Sequence, residues 1–422
     1  MEAKTANGAR AWSIAALLFF FSMVNFIDKL VIGLAAVPIM KEFGLTPSQF
    51  GKIGSSFFLL YAVSGVIVGL FIVQRASPKW LLAALVAIWT VAQAPVAFGG
   101  SVTALFAGRI LLGVGEGPAT PSAYHALYGW FTSEKRSLPT SVQLAGVGMG
   151  FLIGSPLLTG VIQSFGWRAG FGACAAFGLV WLATWLAFGA DGPLVGAENG
   201  GTSDESRVPW GAFWSDRTII ANLVVATCAY WLTGLSITWL APYLQMGLGY
   251  TPRDTGWLVS VILGAQIPLQ LAIAWISHRL LHAGFGSRLA RGMVLAACVI
   301  VAGAALAAAT FVTSPTPKIV LLSLGFTLPT LAFIIGPTIV GETAPAAQRG
   351  TALLVTYSVI TISALISPVL TGWVVEQAGA TPLVGYTHAL WLTSAILIFG
   401  GLWALVGLDP ERTRARFAKS RS

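Results

Sequence analysis

The stretch Ala11–Val37, AWSIAALLFFFSMVNFIDKLVIGLAAV, gives the first indication of the fold class of this chain. It is apolar and longer than the roughly 20 residues that a helix needs to cross a bilayer. It nevertheless contains Asp28 and Lys29. An ionised side chain at the centre of a membrane helix costs about 2.5 to 3.5 kcal/mol, and such residues usually face a partner, a cavity or a solute. The stretch therefore predicts a membrane helix that contributes to a buried polar site.

A second apolar stretch, Leu105 to Trp130, has the same unusual feature. It contains Arg109 and Glu116, which are seven residues apart and so lie two turns apart on one face of a helix. Together with Asp28 and Lys29, they place two acids and two cations inside the membrane. This combination predicts a transport site.

The composition of the whole chain agrees with a membrane protein. Of the 422 residues, 56% are hydrophobic and only 9% are charged, which is too apolar for a pair of soluble domains. The apolar runs lack the alternating pattern of a membrane β-barrel, so we expect an all-α protein with twelve transmembrane helices. These helices are predicted to start near residues 11, 49, 79, 102, 137, 167, 218, 253, 288, 318, 350 and 384.

The basic residues indicate the orientation of the helices. Of the 24 Lys and Arg residues, Lys29 and Arg109 lie in the membrane if both termini are cytoplasmic. The outer loops then contain only Lys41, Lys52, Arg168, Arg253 and Lys318, and all the others lie inside. This distribution follows the positive-inside rule and predicts a multi-pass protein of the cell inner (cytoplasmic) membrane. It also explains the net charge of +9 without nucleic acid.

The chain divides into two similar halves. A polar stretch over 191–217 separates a six-helix bundle at 1–190 from a second one at 218–408, followed by a basic cytoplasmic tail at 409–422. The sequence SPLLTG at Ser155–Gly160 returns as SPVLTG at Ser367–Gly372. Parallel six-helix repeats of this kind are typical of secondary transporters that bind their solute near the membrane midplane.

Glycine spacing in the fifth span favours packing over nucleotide binding. Gly146, Gly150 and Gly154 are four residues apart, a spacing that lets membrane helices approach closely. No strand precedes them and no Gly-Lys-Ser/Thr follows, so a phosphate loop is not expected.

The sequence gives no sign of an enzyme. Cys174, Cys228 and Cys298 lie in predicted spans and are expected to be free thiols that pack as small apolar groups. No nucleophile and base pair, metal cluster or nucleotide loop is present. We therefore expect no enzymatic activity and no resident cofactor or metal.

The segment Arg109–Arg136, RILLGVGEGPATPSAYHALYGWFTSEKR, resembles the fourth span of the major facilitator superfamily, and within it the anion:cation symporter family. Asp28-Lys29, Tyr61 and Gly166-Trp167-Arg168 also match the pattern of that family. The resemblance covers nearly the whole chain. It implies a transporter of organic anions that is coupled to protons, or to sodium.

The resemblance also implies roles for the four buried charges. Asp28 and Glu116 would take up and release protons, and Lys29 and Arg109 would hold the substrate carboxylate. Lys29 stands where the family commonly has Arg, so that position offers a point charge instead of a two-pronged donor. The aspartate that usually follows the second span is also missing, with Val73 at its place, and Ser277-His278-Arg279 is the corresponding sequence after the eighth span.

Other polar and aromatic residues in the spans complete the predicted binding site. From the first half we expect Tyr61, Asn25 and Gln143 to contact the substrate, and from the second half Trp239, Gln266 and Tyr357. Buried amides need hydrogen-bond partners, whereas a Trp or Tyr in a membrane is more often a packing or interfacial residue. The aromatic, amide-poor second half favours a small or rather apolar organic acid over a sugar acid.

These observations lead to a proton-coupled importer of an organic anion, a carboxylate, that works by alternating access. The alternative is a proton-driven exporter of amphipathic compounds, which the glycine-rich fifth span would suit. A channel or a transporter-like sensor could share the fold. The expected partners are the small anion and the lipid bilayer, and we expect a monomer.

Overall fold

Long helices form the fold, as the apolar runs predict. The computed structural model describes residues 8–73, 75–132, 135–195, 208–379 and 381–419. Among these residues there are no β-strands, and eleven helical segments are long and apolar enough to cross a membrane. Some of these segments join shorter consecutive helices, as in Pro252–His282, Arg288–Phe311 and Pro315–Thr343. Each predicted start lies within four residues of the start of an observed helix or helical segment, the ninth at Arg288, where a π-helical turn leads into the next helix. The all-α prediction is therefore confirmed.

The chain forms two compact units, of which the first comprises residues 1–201 and 240–260. Residues 240–260 thus belong to the first unit, whereas the predicted second bundle at 218–408 includes them. The predicted boundaries of the two bundles stay a prediction. The Ser260 hydroxyl in this segment donates a hydrogen bond to the carbonyl oxygen of Leu152, 2.5 Å away. The helices of the first unit before residue 201 are α1 (Gly8–Leu34), α2 (Ala36–Phe43), α3 (Pro47–Ile67), α4 (Pro78–Phe98), α5 (Val102–Glu116), α6 (Ala119–Tyr128), α7 (Ser137–Phe165) and α8 (Trp167–Phe188).

The glycines of α7 pack directly against the backbone of α1. A Cβ atom at Gly150 would lie 2.7 Å from the carbonyl oxygen of Met23, and one at Gly146 would collide with the carbonyl of Phe19. Only glycine therefore permits this separation of the two helices. The predicted packing role of these glycines is confirmed, and α7 fixes the position of the helix that contains Asp28 and Lys29.

The fourth span is a broken helix, which is why eleven long helices appear where twelve were expected. It consists of α5, with 15 residues, and α6, with 10 residues, and the break falls at Gly117 and Pro118. Proline has no N–H to donate and its ring clashes with the carbonyl four residues earlier. The break therefore follows directly after Glu116.

Small residues also bring α5 close to its neighbours. Gly113 and Gly117 lie against the backbone of α3 at Phe57 and Tyr61, where a side chain could not fit. On the other side, a Cβ atom at Gly108 would lie 2.8 Å from the carbonyl oxygen of Ala92 in α4. Helix α5 is thus held tightly between α3 and α4, and Arg109 and Glu116 have fixed positions.

The second unit comprises residues 202–239 and 261–422. One of its contacts parallels the packing of the first unit: Gly234 lies against Ala364 and the Ser367 side chain, in the repeated Ser-Pro-x-Leu-Thr-Gly segment. Helices α10 and α11 are divided between the units by the boundaries at 240 and 260. The helices from residue 208 onward are α9 (Trp210–Trp214), α10 (Arg217–Pro242), α11 (Pro252–Gly264), α12 (Gln266–His282), α13 (Val294–Phe311), α14 (Pro315–Thr327), α15 (Ala332–Thr343), α16 (Ala346–Gln377), α17 (Pro382–Gly407) and α18 (Pro410–Lys419).

The predicted tail contains helix α18, which is docked on the second unit. Phe417 is buried and stacks on Phe213 with ring centroids 5.9 Å apart. Thr413 donates a hydrogen bond of 2.7 Å to Asp216, which also pairs with Arg416 at 3.2 Å. Of the predicted linker, residues 196–207 lie outside the described residues, as do residues 420–422 of the tail.

The Gly166-Trp167-Arg168 segment clamps the end of α2 in the first unit. Arg168 donates to both carboxylate oxygens of Glu42, at 3.0 and 2.6 Å, and the Trp167 indole donates to Glu42 at 2.7 Å. Gly166 has φ +84°, a left-handed conformation that favours glycine. These contacts explain why the three residues occur together.

The clamp should make stability depend on acidic pH. Arg168 and then Trp167 lower the pKa of Glu42 from 4.5 to about 2. Because the folded-state pKa is the lower one, the stabilisation is complete above pH 4.5 and is lost as the pH falls towards 2. We expect Glu42→Gln to lower the Tm in detergent at pH 7, with a difference from wild type that shrinks below pH 4.5. Arg168→Gln, which removes the other partner of the ion pair, is the matched control. A difference in Tm from wild type that does not change with pH would contradict this role of Glu42.

Candidate functional site

Lys29 and Glu116 form a buried ion pair between α1 and α5. Lys29 Nζ lies 2.5 Å from Glu116 Oε2, and the two side chains are 5% and 0% exposed. The ammonium also donates a hydrogen bond of 2.6 Å to Asn25 Oδ1, one turn earlier in α1, and lies 4.5 Å from the centre of the Phe26 ring. Lys29 therefore has three kinds of partner that favour its charged form: a carboxylate, an amide oxygen and an aromatic ring.

Arg109, also on α5, is buried, and its guanidinium group donates no hydrogen bond to any described residue. Its guanidinium carbon lies 4.7 Å from the centre of the Phe57 ring in α3. Only 1% of the residue is exposed, and Nε, Nη1 and Nη2 have no hydrogen-bond partner among the described residues. A buried donor without a partner costs about 1 to 3 kcal/mol, and more when it is charged. Its guanidinium group therefore has the donors that a planar, negatively charged group can accept from.

Asp28 is the fourth charged residue of the cluster and is fully buried. Neither carboxylate oxygen has a hydrogen-bond partner among the described residues. Lys29, Arg109 and Glu116 interact with the carboxylate electrostatically, and the buried thiol of Cys174, on α8, lies beside it. Asp28 and Lys29 are consecutive in α1, so their side chains point in different directions.

The four charges balance one another. Asp28 and Glu116 are acids and Lys29 and Arg109 are cations, so the fully ionised cluster has a net charge of zero. A neutral buried cluster is far less costly than one with an uncompensated charge. An anion at Arg109 would give the ionised cluster a net negative charge, which a proton on either acid would neutralise.

Two further predicted residues lie in the first unit. Tyr61 is 5% exposed and packs against Phe57, the ring that faces Arg109, with centroids 5.1 Å apart. Gln143, on α7, is buried and its Oε1 has no hydrogen-bond partner among the described residues. The structure therefore links Tyr61 to the cluster through Phe57.

Sequence reasoning missed two residues of this unit, Cys174 and Gln93. Gln93 lies on α4, is 2% exposed, and its Nε2 has no hydrogen-bond partner in the described part of the chain. It follows Ala92, whose carbonyl meets Gly108, so it lies at the level of Arg109. An amide inside an apolar span was the signal that could have identified it.

The three predicted residues of the second unit have different surroundings. The Trp239 indole N–H donates a hydrogen bond of 2.9 Å to the Pro368 carbonyl, and the residue is 1% exposed. Tyr357 is 37% exposed, and its hydroxyl lies 3.2 Å from that of Tyr230. Gln266 is buried, and its Nε2 lacks a partner among the described residues. The Trp239 indole thus has a hydrogen-bond partner on α16. The binding roles of all three residues stay predictions.

Comparisons with known proteins agree with the fold. A probable sulfoacetate transporter, SauU, from Cupriavidus necator is 26% identical over 406 residues, covering 93% of this chain and 92% of that protein. A hexuronate transporter from Bacillus subtilis is 23% identical and covers 93% of both chains. In three dimensions, the inward-facing crystal structure of a bacterial homologue of the human lysosomal transporter Spinster matches with a TM-score of 0.80, at 17% identity and 99% coverage of both chains.

The family assignment rests on a broader match. The sequence model described as Major Facilitator Superfamily matches residues 18–355, a range that contains all four charges of the cluster and most of both units. This match confirms the resemblance seen in the fourth span. The protein is therefore a member of the Major Facilitator Superfamily, a multi-pass membrane transporter and not an enzyme.

Proposed function

We propose that this transporter carries a small organic anion into the cell together with protons, by alternating access. The observation that supports this proposal most strongly is Arg109, a buried guanidinium with three nitrogen atoms that have no hydrogen-bond partner among the described residues. A carboxylate would satisfy two of these N–H groups at once. We infer that Arg109 binds the substrate carboxylate directly.

Charge balance supports coupling to protons. A monovalent anion adds one negative charge to a cluster whose ionised groups sum to zero. Protonation of one acid restores neutrality, so binding of the anion and of the proton favour each other. The two acids would allow one proton for a monoanion and two for a dianion.

The Lys29–Glu116 pair suggests which acid is first displaced from its cation when the substrate carboxylate binds. Lys29 Nζ contacts Glu116 at 2.5 Å, and a substrate carboxylate that competes for Lys29 would leave Glu116 without its closest cation. A buried carboxylate without a counter-charge takes up a proton. Glu116 is then the proton-coupling acid that responds to the substrate, and Asp28 is the second acid.

The relatives suggest the substrate class. Their names include sulfoacetate, hexuronate, galactarate and D-glucarate, and L-galactonate, all of which are organic anions. The chain spans nearly the full length of the first, second and third of these relatives. We propose a carboxylate substrate, and the aromatic contacts of Tyr357 and Tyr230 favour a smaller or more apolar acid than a sugar acid.

Further parts of the proposal concern the membrane and the coupling ion. We propose the inner (cytoplasmic) membrane with both termini in the cytoplasm, because this orientation satisfies the positive-inside rule. We also propose a monomer that needs no resident cofactor. The coupling ion is the proton, and sodium is the ion to test against it.

The alternative, an exporter of amphipathic compounds, is now less well supported. Its main argument was the glycine-rich fifth span, and those glycines are used in close packing against α1. An exporter of cations would also have no use for a buried arginine whose guanidinium group has no hydrogen-bond partner among the described residues.

Uptake into proteoliposomes tests the proposed function. Purified protein should accumulate a radiolabelled monocarboxylate, aromatic acid or sugar acid when the outside is more acidic. An inward gradient of about one pH unit supports about tenfold accumulation per proton. A sodium gradient at equal pH is the control. Accumulation driven only by sodium would contradict proton coupling, and uptake of amphipathic cations instead of anions would contradict the whole proposal.

A further inference from the structure

We propose that helix α18 is a binding surface for anionic phospholipid, with Arg412 and Arg414 holding the headgroup phosphate. The surface lies outside the transport site, and its role does not depend on which solute the protein carries. It gives a function to the basic tail of the chain, which the charge cluster of the first unit does not involve. All the contacts that support it lie within the second unit.

Helix α18 begins close to the end of a membrane-spanning helix. Helix α17 is long and apolar enough to cross a bilayer, and only Leu408 and Asp409 separate it from Pro410. The three Cα–Cα steps from the end of α17 span at most about 11 Å. The Thr218 hydroxyl and the main chain of Asp409 exchange hydrogen bonds of 3.0 and 3.2 Å, which fix this junction. The first turn of α18 is therefore held near the level at which the span leaves the lipid.

One face of α18 is docked, and arginines flank that face. Thr413 and Phe417 are one turn apart and both are buried against the second unit. Arg412 and Arg414 are exposed. Consecutive residues of a helix are about 100° apart, so these two arginines lie on either side of the docked face. The helix is thus fixed on one side and presents positive charge beside it.

Neighbouring acids do not neutralise these two arginines. Arg412 and Arg414 have no salt-bridge partner among the described residues. Four acidic residues of this region instead have other partners within the second unit: Asp216 with Arg416, Glu342 with Arg291, Asp409 with Arg288, and Glu411 with the backbone N–H of Ser287. The charges of Arg412 and Arg414 are therefore available to an external anion.

Exposed aromatic side chains lie near both ends of α18. Phe285 is 49% exposed and precedes Gly286, which packs against the first turn of the helix. Trp210 is 39% exposed and packs edge-on against Phe213, the ring that stacks on Phe417 in the last turn. Aromatic rings are enriched at the headgroup level of a bilayer, where basic side chains meet anionic lipid. This combination favours a lipid over a soluble acidic partner.

Titration with short-chain phosphatidylglycerol tests the surface directly. The full-length protein in detergent should bind this lipid more tightly than phosphatidylcholine of the same chain length. Each basic residue near an anionic headgroup contributes about a factor of five, so Arg412→Gln/Arg414→Gln should raise the Kd for phosphatidylglycerol about 25-fold. The matched control, Lys52→Gln/Arg253→Gln, removes the same charge from exposed residues of the first unit and should leave the Kd unchanged. No loss in the first double variant, or an equal loss in both, would overturn the proposal.

A charge-conserving variant separates lipid binding from folding. Arg412→Lys/Arg414→Lys keeps both charges and should bind phosphatidylglycerol nearly as tightly as wild type. The glutamine variant should keep the wild-type Tm in the absence of lipid, because neither arginine has a salt-bridge partner to lose among the described residues. A lower lipid-free Tm together with no rescue by lysine would show that the arginines serve the docking of α18, and the lipid assignment would be wrong.

Soluble phosphate is the other source of the same chemistry. Millimolar inorganic phosphate or glycerol phosphate should weaken lipid binding no more than sodium chloride of equal ionic strength, which acts only by screening. Competition beyond this salt effect would show that Arg412 and Arg414 hold free phosphate, and it would overturn the lipid assignment.

Discussion

Replacing Arg109 with alanine should lower anion uptake at least about 30-fold. Truncating one partner of a buried, hydrogen-bonded charge pair typically costs about 2 to 5 kcal/mol, and every 1.4 kcal/mol is about a factor of ten. Arg109 has no hydrogen-bond partner in the described chain that could account for its burial, so the substrate is the partner that we propose. The loss should appear in binding as well as in transport.

The measurement is counterflow of labelled substrate into proteoliposomes, together with equilibrium binding in detergent. Counterflow needs no gradient, so it separates substrate binding from proton coupling. We expect Arg109→Ala to fail in both assays. Arg109→Lys keeps the charge but offers a point charge in place of a two-pronged donor, so it should retain transport with a raised KM.

Folding needs its own control, because removing Arg109 leaves the acids of the cluster with one cation. Size-exclusion profile and Tm in detergent should be compared for Arg109→Ala and Arg253→Ala, since Arg253 is an exposed arginine of the first unit. A folded Arg109→Ala protein that binds and exchanges substrate like wild type would remove the proposed anion site.

The helices could be predicted from sequence because their cause is local. Runs such as Ala11–Val37 must satisfy their backbone hydrogen bonds internally in lipid, so length and hydropathy place them well. The break after Glu116 was harder to predict, although Pro118 was visible, because proline is tolerated in many membrane helices. What fixes α5 on either side is contact with α3 and α4 through Gly113 and Gly108, and single-sequence patterns do not reveal such neighbours.

The charge cluster was also predictable, but its pairing was not. Asp28, Lys29, Arg109 and Glu116 stand out because each is costly in an apolar run. That Lys29 contacts Glu116 while Asp28 lies beside Cys174 depends on how α1 packs against α5 and α8. A cysteine carries little signal in an apolar sequence. The amide of Gln93 is a visible signal, but its position at the level of Arg109 depends on how α4 packs against α5.

Replacing Glu116 with glutamine should abolish proton-driven accumulation while leaving counterflow intact. Glutamine has nearly the shape of a protonated glutamate but cannot release a proton. It also removes the carboxylate that lies 2.5 Å from Lys29, so Lys29 becomes free to hold the substrate. The variant should bind and exchange the anion, and its substrate affinity should no longer vary with pH in the range where Glu116 titrates.

Accumulation on an inward proton gradient measures this loss. Wild type should exceed the external concentration by about tenfold for each pH unit and each proton carried, whereas Glu116→Gln should reach only equal concentrations. Glu376→Gln makes the same chemical change near the end of α16, outside the cluster, and should accumulate substrate like wild type. If Glu116→Gln concentrates the anion as well as wild type does, the proton must bind elsewhere, and the exchange between Lys29, Glu116 and the substrate carboxylate is not the coupling step.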